Sequence, residues 1–175
     1  MLDKLIKYFV YATKGYIMKT QLIKFLYLAD LYSVKWTGKQ LTELDWCYYR
    51  FGPWNEDIDT ALKQMNGKEI IQESQGNTVL IKLGADATNV EDLQLPLSLR
   101  LILDNIRREW AGLGKEKLPA LLEYVYSTAP ILEVIDTHKP EEKVKEEKVK
   151  IYDKNVKVNN SINSMINDIN KMLDE

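Results

Sequence analysis

The residues that most often carry catalysis are scarce in this chain of 175 residues. Cys47 is the only cysteine and His138 is the only histidine, and the two are far apart in the sequence. A catalytic nucleophile needs a base within hydrogen-bond reach, and a zinc site needs about four suitable ligands. We therefore expect no catalytic residue, no metal site and no cofactor, and we predict that the chain is not an enzyme.

Two further groups of residues resemble chemical motifs but have simpler explanations. Glu56, Asp57 and Asp59 follow Asn55, and acidic side chains at this position complement the dipole at the start of a helix. The segment 112–115, Gly-Leu-Gly-Lys, lacks the preceding strand and the full glycine pattern of a phosphate-binding loop. We interpret the first group as a helix start and the second as a break between helices.

Aromatic residues are concentrated near the N-terminus, where residues 1–54 hold 13 of the 17 in the chain. Alternation along an extended segment would place Trp46, Tyr48 and Arg50 on one face. Aromatic residues and arginine are enriched in binding hot spots. We therefore predict that Trp46, Tyr48, Arg50 and Trp54 contact a protein partner, and that the opposite face packs on the core. Packing of all these side chains in the core is the alternative.

The character of the sequence changes after His138. The five residues 141–145 are repeated as 146–150, and both copies are too polar to form a core. We predict a domain over residues 1–138, a charged linker or solvated helix over 139–158, and an amphipathic helix over 159–175. Ile162, Ile166 and Ile169 lie on its apolar stripe. Because such a helix is marginal alone in water, it docks on the domain, pairs with a copy of itself or binds a partner.

Hydrophobic periodicity predicts a mainly α (α+β) fold, in which a helical domain carries a small β-hairpin and an additional C-terminal helix follows. The first helix ends at Lys14-Gly15. The second runs from Lys19 to Lys35 and ends at Thr37-Gly38, since glycine favours the conformation that follows a helix. Its segment Leu22–Tyr32 is apolar on nearly every side, which is typical of a helix that is buried all round.

The later elements are predicted from caps, turns and apolar stripes. In chain order they are a helix from Asn55 to Met65, a hairpin of 68–74 and 78–83 around Gln75-Gly76-Asn77, a helix with Pro96 in its first turn and a stripe from Leu99 to Trp110, and a helix bearing Leu118, Leu121, Leu122 and Val125.

Three helices followed by a hairpin is also the order of a winged-helix domain, so a DNA-binding regulator is the alternative function. The third helix would then be the reader, but it carries Glu56, Asp57 and Asp59 against Lys63 alone. Phosphates repel such a face, and base readers usually present Arg, Lys, Asn or Gln. Nucleic acid is therefore a possible partner that the sequence does not favour, although residues 1–39 are basic.

The sequence also predicts a cytoplasmic protein without a membrane partner. No apolar stretch approaches the roughly 20 residues that cross a bilayer. Asp3, Lys4 and Lys7 interrupt the apolar start, which is typical of an amphipathic helix and not of a signal peptide. A single cysteine suits a reducing compartment.

Four blocks in the same order carry a family resemblance. They are Leu5–Ala12, the run Lys24-Phe25-Leu26-Tyr27-Leu28-Ala29-Asp30, the turn Tyr49-Arg50-Phe51-Gly52-Pro53-Trp54, and Leu121–Tyr126 before Ala129-Pro130. Over residues 2–136 the chain resembles the SocA-like, or Panacea, antitoxin domain family. The resemblance implies a bacterial, mainly helical antitoxin, in some members phage-associated. Its partner would be a toxin that it neutralises by binding, or a protein that it delivers to a protease as an adaptor.

Overall fold

The computed structural model describes residues 1–49, 52–111, 117–128 and 147–148, and their fold is mainly helical with small antiparallel sheets. The helices of this part are α1 (Leu2–Ala12), α2 (Lys19–Thr37), α3 (Glu56–Met65), α4 (Leu97–Trp110) and α5 (Lys117–Tyr126). The strands are β1 (Ile17–Met18), β2 (Cys47–Tyr49), β3 (Gly52–Trp54), β4 (Ile70–Gln75), β5 (Thr78–Leu83) and β6 (Glu147–Lys148).

Helix α2 is the centre of the core, as its sequence predicts. It packs against α1, α4, α5, β3 and β5. The segment from Gln21 to Leu31 is buried without interruption, and the apolar side chains of Leu22, Phe25 and Leu28 are fully covered. Burial of a large apolar side chain contributes about 1.5–3 kcal/mol to stability, so this helix is the main source of hydrophobic stabilisation in the fold.

The ends of the first two helices are set by residues in the left-handed conformation. Gly38 follows α2 with φ +78°, and its amide donates to the carbonyl oxygen of Val34. Gly15 follows α1 with φ +76°, and a Cβ atom built there would lie 2.7 Å from the backbone nitrogen of Leu83. Only glycine permits both that conformation and that close approach, so α1 ends against the last residue of β5.

The first sheet contains the predicted hairpin and one strand that the sequence did not reveal. Strands β4 and β5 pair antiparallel around Gly76 and Asn77, with Gln75 opposite Thr78. Strand β1 joins the other edge of β5, which places Ile17 opposite Ile81 in the core and gives the sheet order β1-β5-β4. Two residues carry too short a pattern to be recognised as a strand.

The second sheet includes residues of the sequence Tyr49–Trp54, which we call the aromatic turn. Strands β2 and β3 pair antiparallel, with Cys47 opposite Trp54, and β6 pairs with the other edge of β2. Residues Glu147–Lys148 fall inside the predicted linker 139–158, where they form a short strand and not part of a solvated helix. The domain boundaries 1–138, 139–158 and 159–175 stay predictions, and the C-terminal helix lies outside the described residues.

The later helices agree with the sequence except in one detail. Leu99, Ile102, Leu103 and Ile106 form the buried stripe of α4, and Leu121 and Val125 are buried on α5. Pro96 is not in the first turn of α4 but immediately precedes it, because the helix begins at Leu97. In that position the fixed φ of proline and its missing N–H disturb no helical hydrogen bond.

Candidate protein-binding site

Helix α2 carries three polar side chains at intervals of three residues, and each holds a different segment of the chain. Lys24, Tyr27 and Asp30 are all buried, with exposed fractions of 3%, 0% and 0%. A buried polar group is costly unless it is hydrogen-bonded. Their partners therefore decide how the surrounding loops lie on α2.

Asp30 organises the connection between α2 and β2. Its carboxylate accepts five hydrogen bonds, which come from the amides of Leu41 and Thr42 at 2.9 Å, the Thr42 hydroxyl, Nε2 of Gln40 at 3.3 Å and Nε1 of Trp46 at 2.9 Å. Burial raises the pKa of Asp30, while the hydrogen bonds from Thr42, Trp46 and Leu41 act in the opposite direction. One side chain thus fixes a whole loop.

Lys24 joins α2 to the aromatic turn by a hydrogen bond. Its ammonium group donates to the carbonyl oxygen of Pro53, in β3, at 3.2 Å. Burial lowers the pKa of Lys24 from 10.5 to about 8, because desolvation disfavours the charged form. On the other side of the turn, Nδ2 of Asn55 donates to the carbonyl oxygen of Asp45 at 2.7 Å, while Oδ1 of Asn55 caps α3 by accepting from the amide of Asp57 at 2.8 Å.

Tyr27 links α2 to the end of α5. Its hydroxyl and that of Thr128 are 2.7 Å apart in a hydrogen bond, and the Tyr27 ring packs edge-on against Trp46 at 5.6 Å between centroids. Burial is the main cause that raises the pKa of Tyr27 above its ordinary value. The segments before β2, within β3 and after α5 are therefore all joined to one helix.

The predicted contact residues have different positions in this arrangement. Trp46 is 1% exposed, with its ring against Tyr27 and its indole N–H on Asp30. The prediction that Trp46 contacts a partner is therefore corrected. Trp46 is a core residue, because its indole N–H donates to Asp30 on the buried helix α2. Trp54 is half-buried at the end of β3. Tyr48 lies in β2, opposite Pro53. Arg50, Ile162, Ile166 and Ile169 lie outside the described residues.

The structure reveals a second aromatic group that the sequence did not indicate. Tyr32 and Trp36 of α2, Trp110 of α4 and Tyr124 of α5 are all half-buried, and we call them the aromatic cluster. Tyr32 stacks on Trp36 with centroids 5.9 Å apart, and Trp110 stacks on Tyr124 at 5.1 Å. The two pairs are joined by a hydrogen bond of 2.9 Å between the hydroxyls of Tyr32 and Tyr124.

Charges and one indole N–H complete the surroundings of the aromatic cluster. Nζ of Lys35 lies 5.9 Å from the centre of the Tyr32 ring, a cation–π distance. The pKa of Tyr32 is raised by burial, by its bond to Tyr124 and by the nearby charge of Glu109. Nε1 of Trp110 is buried and has no hydrogen-bond partner in the described part of the chain. The cluster therefore combines ordered rings, a nearby cation and an unused donor.

The sequence spacing could have predicted one of the two pairs in this cluster. Tyr32 and Trp36 are four residues apart near the end of α2, and residues at that spacing are neighbours on a helix surface. Trp110 and Tyr124 are on separate helices that follow a long connection, so no local pattern brings them to Tyr32. The cluster depends on how three helices pack, and that cannot be read from spacing.

Comparison with known proteins places the chain in a family. The family model described as "Antitoxin SocA-like, Panacea domain" matches residues 22–174. The chain belongs to this antitoxin family. The resemblance stated above is thus confirmed, but its limits differ. The match begins later than residue 2 and continues past residue 136 through the charged repeat and the terminal segment. No curated protein and no solved structure matches the chain.

Membership of the SocA-like antitoxin family suggests an antitoxin role with a protein partner, and not an enzymatic one. The described residues contain no group of three or more His, Cys, Asp or Glu side chains that could hold a metal ion. Cys47 is buried. Asp59, one of the three carboxylates at the start of α3, forms an ion pair of 2.5 Å with Lys19.

In the described part of the structure, no helix is long and apolar enough to span a bilayer.

In this SocA-like domain the helices α1, α2 and α3 precede the β4–β5 hairpin, which is the order behind the winged-helix alternative, and the β2–β3 hairpin is inserted between α2 and α3. The α3 helix would occupy the reading position. Its exposed side chains include Glu56 and Asp57 beside Lys63 and Gln64. Adjacent carboxylates at the N-terminal end of this helix repel DNA phosphates. The exposed side chains of α3 therefore do not form a basic reading surface.

Proposed function

We propose that this chain is an antitoxin that neutralises a protein toxin by binding it directly, with the aromatic cluster as the main contact surface. The observation that carries the proposal is the position of Tyr32, Trp36, Trp110 and Tyr124. All are half-buried, and they are joined by two stacked pairs and one hydrogen bond. Together with membership of an antitoxin family, this favours recognition of another protein.

The proposal is supported by the small loss of conformational entropy that these rings would undergo on binding. Binding normally loses about 0.5–1.5 kcal/mol for each flexible side chain that becomes fixed. Stacking and the Tyr32–Tyr124 hydrogen bond already restrict the rings before a partner arrives. Aromatic rings bury a large area per rotatable bond and dominate hot spots.

The predicted residues of the aromatic turn and tail are secondary contacts in this proposal. Tyr48 and Trp54 lie in the paired strands β2 and β3, whose Pro53 accepts a hydrogen bond from Lys24, and Arg50 lies between them in the sequence. The apolar stripe of Ile162, Ile166 and Ile169 would provide a helix-in-groove contact. The family match includes both regions. We expect their substitution to weaken binding less than substitution in the aromatic cluster.

The experiment measures binding of the full chain to the protein encoded by the adjacent gene, by calorimetry, and rescue of growth on co-expression. We expect a complex, growth rescue, and a loss of affinity of at least about 30-fold for Trp36→Ala, since a hot-spot residue contributes about 2 kcal/mol or more. Tyr16→Ala is the matched control, because Tyr16 is an aromatic residue with 64% of its surface exposed, outside the cluster. It should bind as the unchanged chain does.

Three outcomes separate the alternatives. Absence of both a complex and rescue contradicts the antitoxin proposal. An intact complex with Trp36→Ala, in a variant that still unfolds cooperatively, removes the aromatic cluster from the interface and leaves the turn and tail. Rescue that disappears in cells lacking their ATP-dependent proteases, while the complex persists, assigns the adaptor mode in place of direct neutralisation.

A further inference from the structure

A polar groove lies between α1, β5, the 84–96 connection and α4, at residues that the proposed function does not use. Its volume is about 470 Å³. The side chains that matter for its chemistry are Lys14 at the end of α1, Glu91 in the connection, and Arg100, Asp104 and Arg107 on α4. Three cations face two carboxylates, so the groove has an excess of positive charge.

The two carboxylates form only long ion pairs with the arginines. Nη2 of Arg100 is 3.5 Å from Oε1 of Glu91, whose side chain is 71% exposed. Nε of Arg107 is 4.0 Å from Oδ1 of Asp104, and that same oxygen accepts the hydroxyl of Tyr8. Exposed ion pairs at such distances contribute about 0–1 kcal/mol. The ion pairs of the two arginines therefore add little to stability.

Arg100 provides the most specific indication. Its Nε is buried and has no hydrogen-bond acceptor in the described structure. A buried donor without an acceptor costs about 1–3 kcal/mol. Nε and Nη2 lie on the same edge of the guanidinium group, and this edge matches the two oxygens of a carboxylate or phosphate. A bound oxyanion would satisfy Nε and compete with Glu91 for Nη2.

The backbone at Lys14 places a third cation at the groove in an unusual conformation. Lys14 has φ +55°, which side chains other than glycine, asparagine and aspartate rarely adopt. Its amide donates to the carbonyl oxygen of Tyr11 at 3.0 Å, and this bond fixes the turn. Residues held in such conformations often occur at functional sites. Arg100 and Arg107 are two helical turns apart, a rise of about 10 Å, so an extended ligand could contact both.

We propose that this groove binds an oxyanion, with the Nε–Nη2 edge of Arg100 as its primary ligand and Lys14 and Arg107 as flanking cations. The shared chemistry is a doubly coordinated carboxylate or phosphate. The source is either an acidic peptide side chain or a phosphorylated small molecule. The site is independent of toxin binding through the aromatic cluster.

The test is a titration of the isotope-labelled full chain, followed by amide chemical shifts. The probes are sodium pyrophosphate and the dipeptide Glu-Glu, each against sodium chloride at the same ionic strength. We expect saturable shifts at the amides of Lys14, Val90 and Glu91. Arg100→Gln should raise the dissociation constant at least about tenfold, because a charge-assisted hydrogen bond is worth about 1.5–3 kcal/mol.

Arg108→Gln is the matched control, since Arg108 is an exposed arginine on the same helix. Saturation by pyrophosphate alone supports a phosphate ligand, saturation by the dipeptide alone supports a carboxylate ligand, and saturation by both supports the shared chemistry. Shifts that do not saturate, or that Arg100→Gln and Arg108→Gln reduce equally, overturn the site. If Arg100→Gln loses amide dispersion, Arg107→Gln takes its place, with the same expected direction.

Discussion

The ammonium group of Lys24 donates to the carbonyl oxygen of Pro53 at 3.2 Å, so that the N-terminal half of the core helix holds the end of the aromatic turn. The lysine is 3% exposed and its pKa falls to about 8. Between pH 8 and 10.5 the unfolded chain therefore binds more protons at this position than the folded chain does. The free energy of unfolding therefore rises with pH between 8 and 10.5: the contribution of Lys24 is fully present above 10.5 and is lost as the pH falls to 8.

We predict that the pH dependence of stability changes when Lys24 is replaced. The free energy of unfolding of the unchanged chain, relative to Lys24→Met, should rise by roughly 2 kcal/mol from pH 8 to pH 10, as expected from the lowered pKa. Urea unfolding at both pH values measures this difference. Lys63→Met, at an exposed site on α3, is the control and should follow the unchanged chain. Parallel curves for Lys24→Met and the unchanged chain would mean that Lys24 titrates normally.

A second prediction concerns the carboxylate that fixes the loop before β2. Asp30→Asn keeps the shape but replaces one acceptor oxygen by an NH₂ donor, which then faces other donors such as Nε1 of Trp46. We expect a loss of about 2–4 kcal/mol in the free energy of unfolding, because buried donors are left without acceptors. Trp46 fluorescence should also change as the indole loses its acceptor. Asp86→Asn, on the surface, should leave both measurements unchanged.

A third prediction isolates the hydrogen bond inside the aromatic cluster. Tyr32→Phe and Tyr124→Phe each remove one hydroxyl of the 2.9 Å pair and keep the rings. In a double-mutant cycle we expect a coupling free energy of about 0.5–1.5 kcal/mol in unfolding experiments, the usual contribution of one hydrogen bond. Additive effects would show that the two hydroxyls are satisfied independently. The single variants should keep most of their affinity for the partner, since the ring surfaces remain.

A fourth prediction tests the proposed domain boundary. Truncation after His138 removes β6 and the predicted tail, but it leaves every buried residue from Leu5 to Thr128 in place. We expect the shortened chain to unfold cooperatively, because its helical stripes bury one another. Circular dichroism during thermal unfolding measures this. A broad, non-cooperative transition would mean that the tail, which the family match includes, completes the core.

The sequence predicts the parts of this fold that depend on local patterns. The apolar run of α2, the cap at Asn55 and the turn at Gly76 all act within a few residues, and each is confirmed by the structure. Strand β1 was not predicted, because its partner β5 lies more than sixty residues later. The missed strand is therefore a long-range pairing, whereas the misplaced Pro96 is a local error at a helix boundary.

The same reason explains the correction at the candidate site. An alternating pattern places Trp46 on a defined face but does not tell which face is covered. That depends on Asp30, a polar residue inside an apolar helix, whose role is visible only once the loop is folded over it. In the aromatic cluster, likewise, Tyr32 meets Tyr124 only through the packing of α2 on α5.

The long separation of these contacts also affects how the chain is made. The hydrogen bond of Tyr27 cannot form until Thr128, 101 residues later, has been made. The hydrogen bond of Tyr32 likewise requires Tyr124, 92 residues later. Synthesis at about 5–20 residues per second takes roughly 5–20 s to cover such a distance. During that interval α1 is available to cover α2, whereas α4 and α5, which also pack against it, have yet to be made in full. The aromatic cluster is likewise complete only after Tyr124 has been made, so the surface that we propose for partner binding forms later than α2 itself.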